Sequence, residues 1–300
     1  MGIIEFGKKV LRFIRKRINR HYNKLYQKYL LNHPRKYADI LYHETFGEYI
    51  DWDNPKDLNE KINWLAFNTD TTEWSNLADK YLVHEYLKKK GLGALLTPIY
   101  GKWDNVDEID ISNLPNKFVL KTNCGSGDVL IIKDKSKVNI SEIKQYFEQV
   151  LSYRFGKDSA EPHYLRIKPC VFAEHLLEGE IVDYKIWCFN GEPYCVLTVS
   201  NRNYETHAMD LNVFDLDWNR HNEWLPEEYR NEIIVPKPKY LKEMLRYAKV
   251  LSSGFPQVRI DLYEKDNAVF FGEMTFTSAC GRMTYFSKEA LLDMGKQIKL

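Results

Sequence analysis

The chain has 300 residues, 44% hydrophobic and 28% charged, with 43 Lys and Arg against 42 Asp and Glu. This is the composition of a soluble globular protein of one large domain or two modest ones, and it excludes a chain disordered by composition. The five cysteines, at 124, 170, 188, 195 and 280, are odd in number and form no Cys-x-x-Cys pair, which argues against a disulfide scaffold or a zinc site and for a reducing cytosol.

Charge is unevenly placed. Nine Lys or Arg stand between residues 2 and 28 against the single acid Glu5, which leaves the remainder net acidic and excludes nucleic acid as the body's partner. Within the basic stretch Phe6, Val10, Phe13, Ile14, Ile18, Leu25 and Tyr29 recur at three- and four-residue steps, the spacing of an amphipathic helix over 6–29. Two readings stand open. One is peripheral contact with an anionic membrane on its cytoplasmic face, and the other is a helix packed on its own domain with a solvated basic face. No apolar run reaches the length of a membrane span, and the N-terminus lacks the unbroken apolar core of a signal peptide.

Along the body, 54–68 reads as a helix opened by a capping box, Asp57 three residues before Glu60. A second helix is expected over 75–91, capped by Ser75 and stopped at Gly91. Further helices are expected over 141–155, 239–254 and 287–300. Strands are expected at 118–121, 129–133, 170–177, 183–190, 193–200, 212–216, 258–263 and 268–276, with hairpins at 190–193 and 264–268. Helices and antiparallel hairpins are mixed without a βαβ rhythm, so the class is α+β.

Three stretches carry chemistry. The apolar strand Phe118–Leu120 ends in Lys121 and runs into Cys124-Gly125-Ser126-Gly127. Such a loop can turn backbone N–H groups toward an anion that the lysine neutralises; a hairpin turn with a solvated lysine is the plainer alternative. A second strand reaches Glu174 and then meets acids and Lys185. In the third, Asp261 and Glu273 lie on the two strands of one hairpin at a cross-strand distance from the turn. Two such carboxylates make an Mg²⁺ site once nucleotide phosphates supply further oxygens. Glu273 also lies in an apolar run, where an unpaired carboxylate would be costly.

The order lysine, Gly-rich loop, Glu-x-x-Leu, Arg-x-Asp and late Glu resembles the ATP-grasp superfamily. More narrowly it is similar to the TupA-like ATP-grasp family found with teichuronopeptide and capsular polysaccharide genes. The stretches "LNEKINWL", "ADKYLVHEYL", "NKFVLKTNCGSGDVLIIKDKS", "FAEHLLEGEIVDYKIWCFNGEP", "FDLDWN" and "FGEMTFTSACGRM" carry it, over roughly residues 34 to 290. The resemblance implies an ATP-grasp fold, two α+β lobes with the nucleotide between them. It divides the chain into a basic helix (1–31), a helical region (32–97), a small lobe with the Gly-rich loop (98–177) and a large lobe with the metal site (178–300).

The resemblance also implies roles. Lys80 and Lys121 match the lysines that hold the α- and β-phosphates, and Gly125, Ser126 and Gly127 the loop that closes on them. Glu174 and the backbone through Leu176 match the hinge that reads adenine. Asp183 matches the ribose acid, with Glu178 or Glu180 as alternatives, and Lys185 reaches toward the phosphates. Asp261 and Glu273 match the magnesium ligands, and Arg259 neutralises the transferred phosphoryl group. Two departures stand out: Thr275 replaces the Asn of a common Glu-x-Asn pattern, which puts two-magnesium coordination in doubt, and Asp128 adds negative charge beside the loop. The implied reaction passes the γ-phosphoryl of ATP to a carboxylate, and an amine attacks the acyl phosphate. The implied partners are a glycan or uronic-acid carboxylate and an amino-group donor. Competing readings are a glycosyltransferase using Asp215 and Asp217 as a metal site, and a non-catalytic nucleotide-binding partner. Arg202, Asn203 and His207 are acceptor-site candidates.

Overall fold

The computed structural model describes residues 28–125, 127–201 and 209–300. Residues 6–27 of the expected basic helix, the loop residue Ser126 and the acceptor candidates Arg202, Asn203 and His207 lie outside the described residues. The first helices, α1 (Pro34–Phe46) and α2 (Leu58–Asn68), fall in the region expected to be helical. The capping box is formed as the spacing implies: the Glu60 N–H donates to Asp57 at 2.9 Å, and the Glu60 carboxylate accepts from the Asp57 N–H.

The single helix expected over 75–91 is two, α3 (Thr72–Ala78) and α4 (Val83–Lys89). Asp79 makes the break. Its carboxylate accepts the N–H groups of Tyr81 at 2.8 Å and Leu82 at 3.0 Å, which starts a new helix instead of continuing the old one. Ser75 is therefore no cap. It lies buried inside α3 and donates to the carbonyl of His163 at 2.8 Å. The break frees Lys80 from helical geometry, and its N–H donates to the carbonyl of Asn123 at 2.8 Å.

Two antiparallel sheets follow, so the α+β expectation holds. The smaller has the order β1 (Ile99–Trp103), β4 (Val171–Glu174), β2 (Phe118–Thr122), β3 (Val129–Ile132). It packs against α5 (Ile140–Ser152) through Phe118, Leu120, Ile143, Phe147 and Val171. Strand β1 gave no signal in the sequence, being half-buried without alternation and containing Gly101. The strand expected over 170–177 stops at Glu174, after which the His175 N–H bonds the Pro98 carbonyl instead of a ladder partner.

The larger sheet has the order β7 (Asp210–Phe214), β6 (Glu192–Ser200), β5 (Asp183–Phe189), β8 (Gln257–Lys265), β9 (Ala268–Thr275). Both expected hairpins, β5–β6 and β8–β9, are formed. The helix α6 (Leu241–Ser252) lies against β5, β6 and β8, and α7 (Lys288–Lys296) against α2. Ile186, Trp187, Val196, Met244, Val258 and Phe276 build one core with Leu58, Ile62 and Met294. No helix of the described residues is long and apolar enough to cross a membrane.

The contact of α7 with the start of α2 has no slack. A Cβ on Gly295 would meet the Lys56 carbonyl oxygen at 2.3 Å and Asp57 Cα at 2.8 Å, both backbone atoms. Gly295→Ala is expected to lower stability by about 1–3 kcal/mol despite the better helix propensity of alanine. Urea unfolding monitored by circular dichroism measures this, and an unchanged midpoint would show that the two elements can separate without cost.

Candidate functional site

A cavity of about 580 Å³ lies between the two sheets. The small sheet contributes Val119, Lys121, Ile131 and Glu174, and the large sheet Asp183, Lys185, Leu197, Arg259, Asp261 and Glu273. Lys80, from the break after α3, and Gly125, Gly127 and Asp128, from the loop after β2, complete its rim. Leu176 also lines it, whereas Glu178 and Glu180 are exposed and do not. Of the three acids offered for one role, the cavity holds Asp183.

The large-sheet residues converge because of register. Asp183 and Lys185 lie two apart on β5, as do Arg259 and Asp261 on β8 and Glu273 and Thr275 on β9, so each pair shares a face. Lys185 stands opposite Asp261, and Asp261 opposite Glu273. The expected cross-strand carboxylate pair is thus formed, on the cavity side.

A continuous ion network joins these groups. The Arg259 guanidinium grips Asp261 with Nε to Oδ1 at 2.6 Å and Nη2 to Oδ2 at 2.7 Å. Its Nη2 also reaches Glu273 Oε1 at 3.1 Å, and Nη1 donates to the Ser278 hydroxyl at 3.0 Å. Lys185 Nζ lies 2.6 Å from Asp183 Oδ2 and 2.5 Å from Asp261 Oδ2. Lys80 Nζ lies 3.5 Å from Glu273 Oε2 and donates to the Gly125 carbonyl at 2.7 Å. Thr275, in the place of the expected Asn, donates its hydroxyl to Glu273 Oε1 at 2.8 Å.

Protonation follows from this network. Burial opposes the charge on Glu273, but Lys80, Arg259 and Lys185 hold its carboxyl well below the usual range. Burial also opposes the charge on Lys185, yet Asp183 and Asp261 keep its ammonium above its ordinary value. Burial pushes the Asp183 carboxyl up in spite of the neighbouring lysine. Asp128 is likewise raised by burial, with Lys80 acting against it.

On the small-sheet side Lys121 Nζ meets Glu174 Oε1 at 2.5 Å, and the Thr97 hydroxyl donates to the other oxygen at 3.1 Å. Lys121 is thus a cavity residue and not the solvated lysine of a plain turn. The loop that follows needs glycine at 125. Its φ is 118°, and a Cβ there would meet Asp128 Oδ2 at 2.4 Å.

Sequence reasoning missed the brace beneath this loop. Asn123, buried at the end of β2, donates through Nδ2 to Asp79 Oδ2 at 2.7 Å and to the Lys168 carbonyl at 3.0 Å. Its Oδ1 accepts the Cys170 N–H at 2.8 Å. Together with the Lys80 N–H bond to its carbonyl, Asn123 fixes Lys80 and the loop to the small sheet. The one available signal was a polar residue following an apolar strand. The pair Asp215 and Asp217 is not a strand-borne metal site. β7 ends at Phe214, and the Asp215 carboxylate accepts the N–H groups of Asp217 at 3.0 Å and Asn219 at 2.8 Å, closing a turn.

Among the described residues no three His, Cys, Asp or Glu side chains gather into a metal-binding group. Both oxygens of Asp261 are held by Arg259 and Lys185, whereas Glu273 Oε2 meets Lys80 at the longer distance of 3.5 Å, so a divalent cation beside this pair would need further oxygens from its ligand.

The family whose model matches this chain is TupA-like ATPgrasp, over residues 60–299. Among curated proteins none matches. Among solved structures, D-alanine–D-alanine ligase from Bacillus anthracis is similar at 18% identity and a TM-score of 0.42, covering 81% of this chain and 67% of that one. The L-amino acid ligase from Bacillus licheniformis is similar at 14% identity and a TM-score of 0.46, covering 74% and 49%. N5-carboxyaminoimidazole synthetase from Staphylococcus aureus, complexed with ADP, is similar at 14% identity and a TM-score of 0.44, covering 72% and 50%.

The depressed Glu273 carboxyl has a measurable consequence. Above about pH 5 Glu273 is charged in the folded and unfolded chain alike, and its ion pairs contribute fully. As pH falls through the ordinary carboxylate value of about 4.3, the unfolded chain takes up a proton first, and the contribution is lost on the way to the lower folded value. The stability difference between wild type and Glu273→Gln, from urea midpoints, is expected to be pH-independent from about 6 to 8 and to shift against wild type below about 4. A difference that stays constant through the acid range would remove the ion pairs from Glu273.

Proposed function

The chain belongs to the TupA-like ATP-grasp family, with that family's fold, and on this premise we propose that it is an ATP-dependent ligase joining a carboxylate to an amine. The observation that carries the reading is the convergence of Lys80, Lys121, Lys185 and Arg259 on one cavity, beside a glycine loop and an opposed carboxylate pair. Each of the four cations rests against a carboxylate of the same cleft, and a polyanionic ligand would draw on the same charges.

The roles follow from position. Lys80 and Lys121 line the cavity with Gly125 and Gly127 of the loop, where they neutralise phosphate oxygens. Gly125 and Gly127, both at positive φ, let backbone N–H groups turn toward the same anion. Val119, Ile131 and Leu176 form an apolar wall for a purine base, with Glu174 and the backbone to Leu176 at its edge and Asp183 toward the ribose. Arg259, held in place by Asp261, presents positive charge to a phosphoryl group without having to reorganise. ATP, when bound, supplies the phosphoryl group that activates the carboxylate. Glu273, beside Asp261, would hold a divalent cation, which would add charge neutralisation. The protein's own contribution is positioning, charge and exclusion of water from the intermediate acyl phosphate.

The finer part of the reading is the substrate, a carboxylate of a cell-surface glycan or its uronic-acid precursor. It is supported by the motif resemblance to a family found with polysaccharide genes. Basic residues before the described chain suit attachment near a lipid-linked acceptor.

ADP release from ATP is expected to require Mg²⁺, a uronic-acid glycan and an amine together. Release without the glycan would move the substrate assignment elsewhere, and nucleotide binding with no release under any pairing would leave a non-catalytic nucleotide-binding partner. Lys121→Gln, which keeps a donor for Glu174, is expected to weaken ATP binding roughly tenfold to a hundredfold by calorimetry, the worth of one charge-assisted contact. An unchanged affinity in the folded variant would take Lys121 out of the phosphate site.

A further inference from the structure

We infer that the ammonium of Lys185 is a built-in cation between Asp183 and Asp261, so that the site takes one divalent cation with its nucleotide, on the Glu273 side, and not two. The inference rests on the nucleotide-binding reading above and deepens it.

Three carboxylates, Asp183, Asp261 and Glu273, face one side of neighbouring strands without gathering into a metal-binding group. Two of them are already bridged. Lys185 Nζ lies 2.6 Å from Asp183 Oδ2 and 2.5 Å from Asp261 Oδ2, with its side chain only 12% exposed. It stands opposite Asp261 in the β5–β8 register, so the sheet itself places it there. The remaining Asp261 oxygen, Oδ1, is taken by Arg259 Nε at 2.6 Å. A metal ion at Asp261 on that side would lie against the guanidinium, and one between Asp183 and Asp261 would have to expel the ammonium.

Glu273 is different. Its side chain is 31% exposed, and among the described residues Oε2 pairs with Lys80, at the longer distance of 3.5 Å. Lys80 has a second acceptor in the Gly125 carbonyl, so it can yield Oε2 without losing every partner. Charge balance points the same way. Lys185, Arg259 and Lys80 offset the three carboxylates one for one, so a divalent cation enters with the negative charge of its own phosphates. A second divalent ion would bury an excess of positive charge, which is costly away from bulk water. Thr275 agrees with this arrangement, because its hydroxyl donates to Glu273 Oε1 and leaves Oε2 to Lys80.

The test counts metal ions by Mn²⁺ electron paramagnetic resonance titration of the full chain with a saturating non-hydrolysable ATP analogue. Wild type is expected to bind one Mn²⁺ per chain. Lys185→Met is expected to bind two, and Lys185→Arg, which keeps the charge, to remain at one. Lys185→Gln is counted in place of the methionine variant if the latter fails to fold. Two Mn²⁺ in wild type, or one in the neutral variant, would overturn the inference while leaving the nucleotide reading intact. Failure of wild type to bind the analogue in calorimetry, with or without Mn²⁺, would instead overturn the nucleotide reading beneath it.

Discussion

A guanidinium can be held inside a protein only where its donors meet acceptors, preferably charged ones. Arg259 meets this condition on the middle strands of the large sheet with both oxygens of Asp261, one of Glu273 and the hydroxyls of Thr275 and Ser278. Breaking such a buried pair from one side costs about 3–5 kcal/mol, because the other charge is left without a partner. The pair therefore fixes more than itself. It holds the cavity face of β8 in register with β5 and β9, and through them it sets Lys185 and Glu273 at fixed positions around one carboxylate. A site meant to stabilise developing negative charge benefits from cations that need no rearrangement when the charge appears.

The opposite wall carries the ion pair of Lys121 with Glu174, but its loop is braced by hydrogen bonds of neutral and capping groups. Asp79 both starts α4 and accepts from Asn123, and Asn123 ties that helix start to Lys168 and Cys170 at the beginning of β4. Lys80 follows Asp79 directly, so the backbone that breaks the helix is the same backbone that delivers the lysine to the glycine loop. The consequence is a division of labour. The large sheet supplies a rigid charged floor, while the small sheet supplies a loop of glycines at positive φ above a braced anchor.

The amino-acid order by itself determined what local periodicity and composition encode. Period-two alternation along β8 set Arg259 and Asp261 on one face, hairpin spacing brought Glu273 opposite Asp261, and the Asp57–Glu60 box started α2 where the structure has it. The hydrophobic runs of β2, β5, β6 and β9 were visible because each buries a face, and the motif order was enough to identify the family over most of the chain. Tertiary structure decided what depends on contacts between distant residues. Helical periodicity runs unbroken through 75–91, and only the side chain of Asp79, held by Asn123 from 44 positions away, divides it. β1 carries too weak a pattern to announce itself and exists because β4 offers it a ladder. Asp215 and Asp217 read as a metal pair until the strand ends two residues early, at Phe214, and the first carboxylate closes a turn. The same holds for the partner of Lys185. Sequence placed a lysine near the phosphates, but the ammonium lies between Asp183 and Asp261 because β5 pairs with β8, a strand 76 residues from it at that contact. Local propensity cannot see such pairings, since their energy comes from burying one strand's charges against another's.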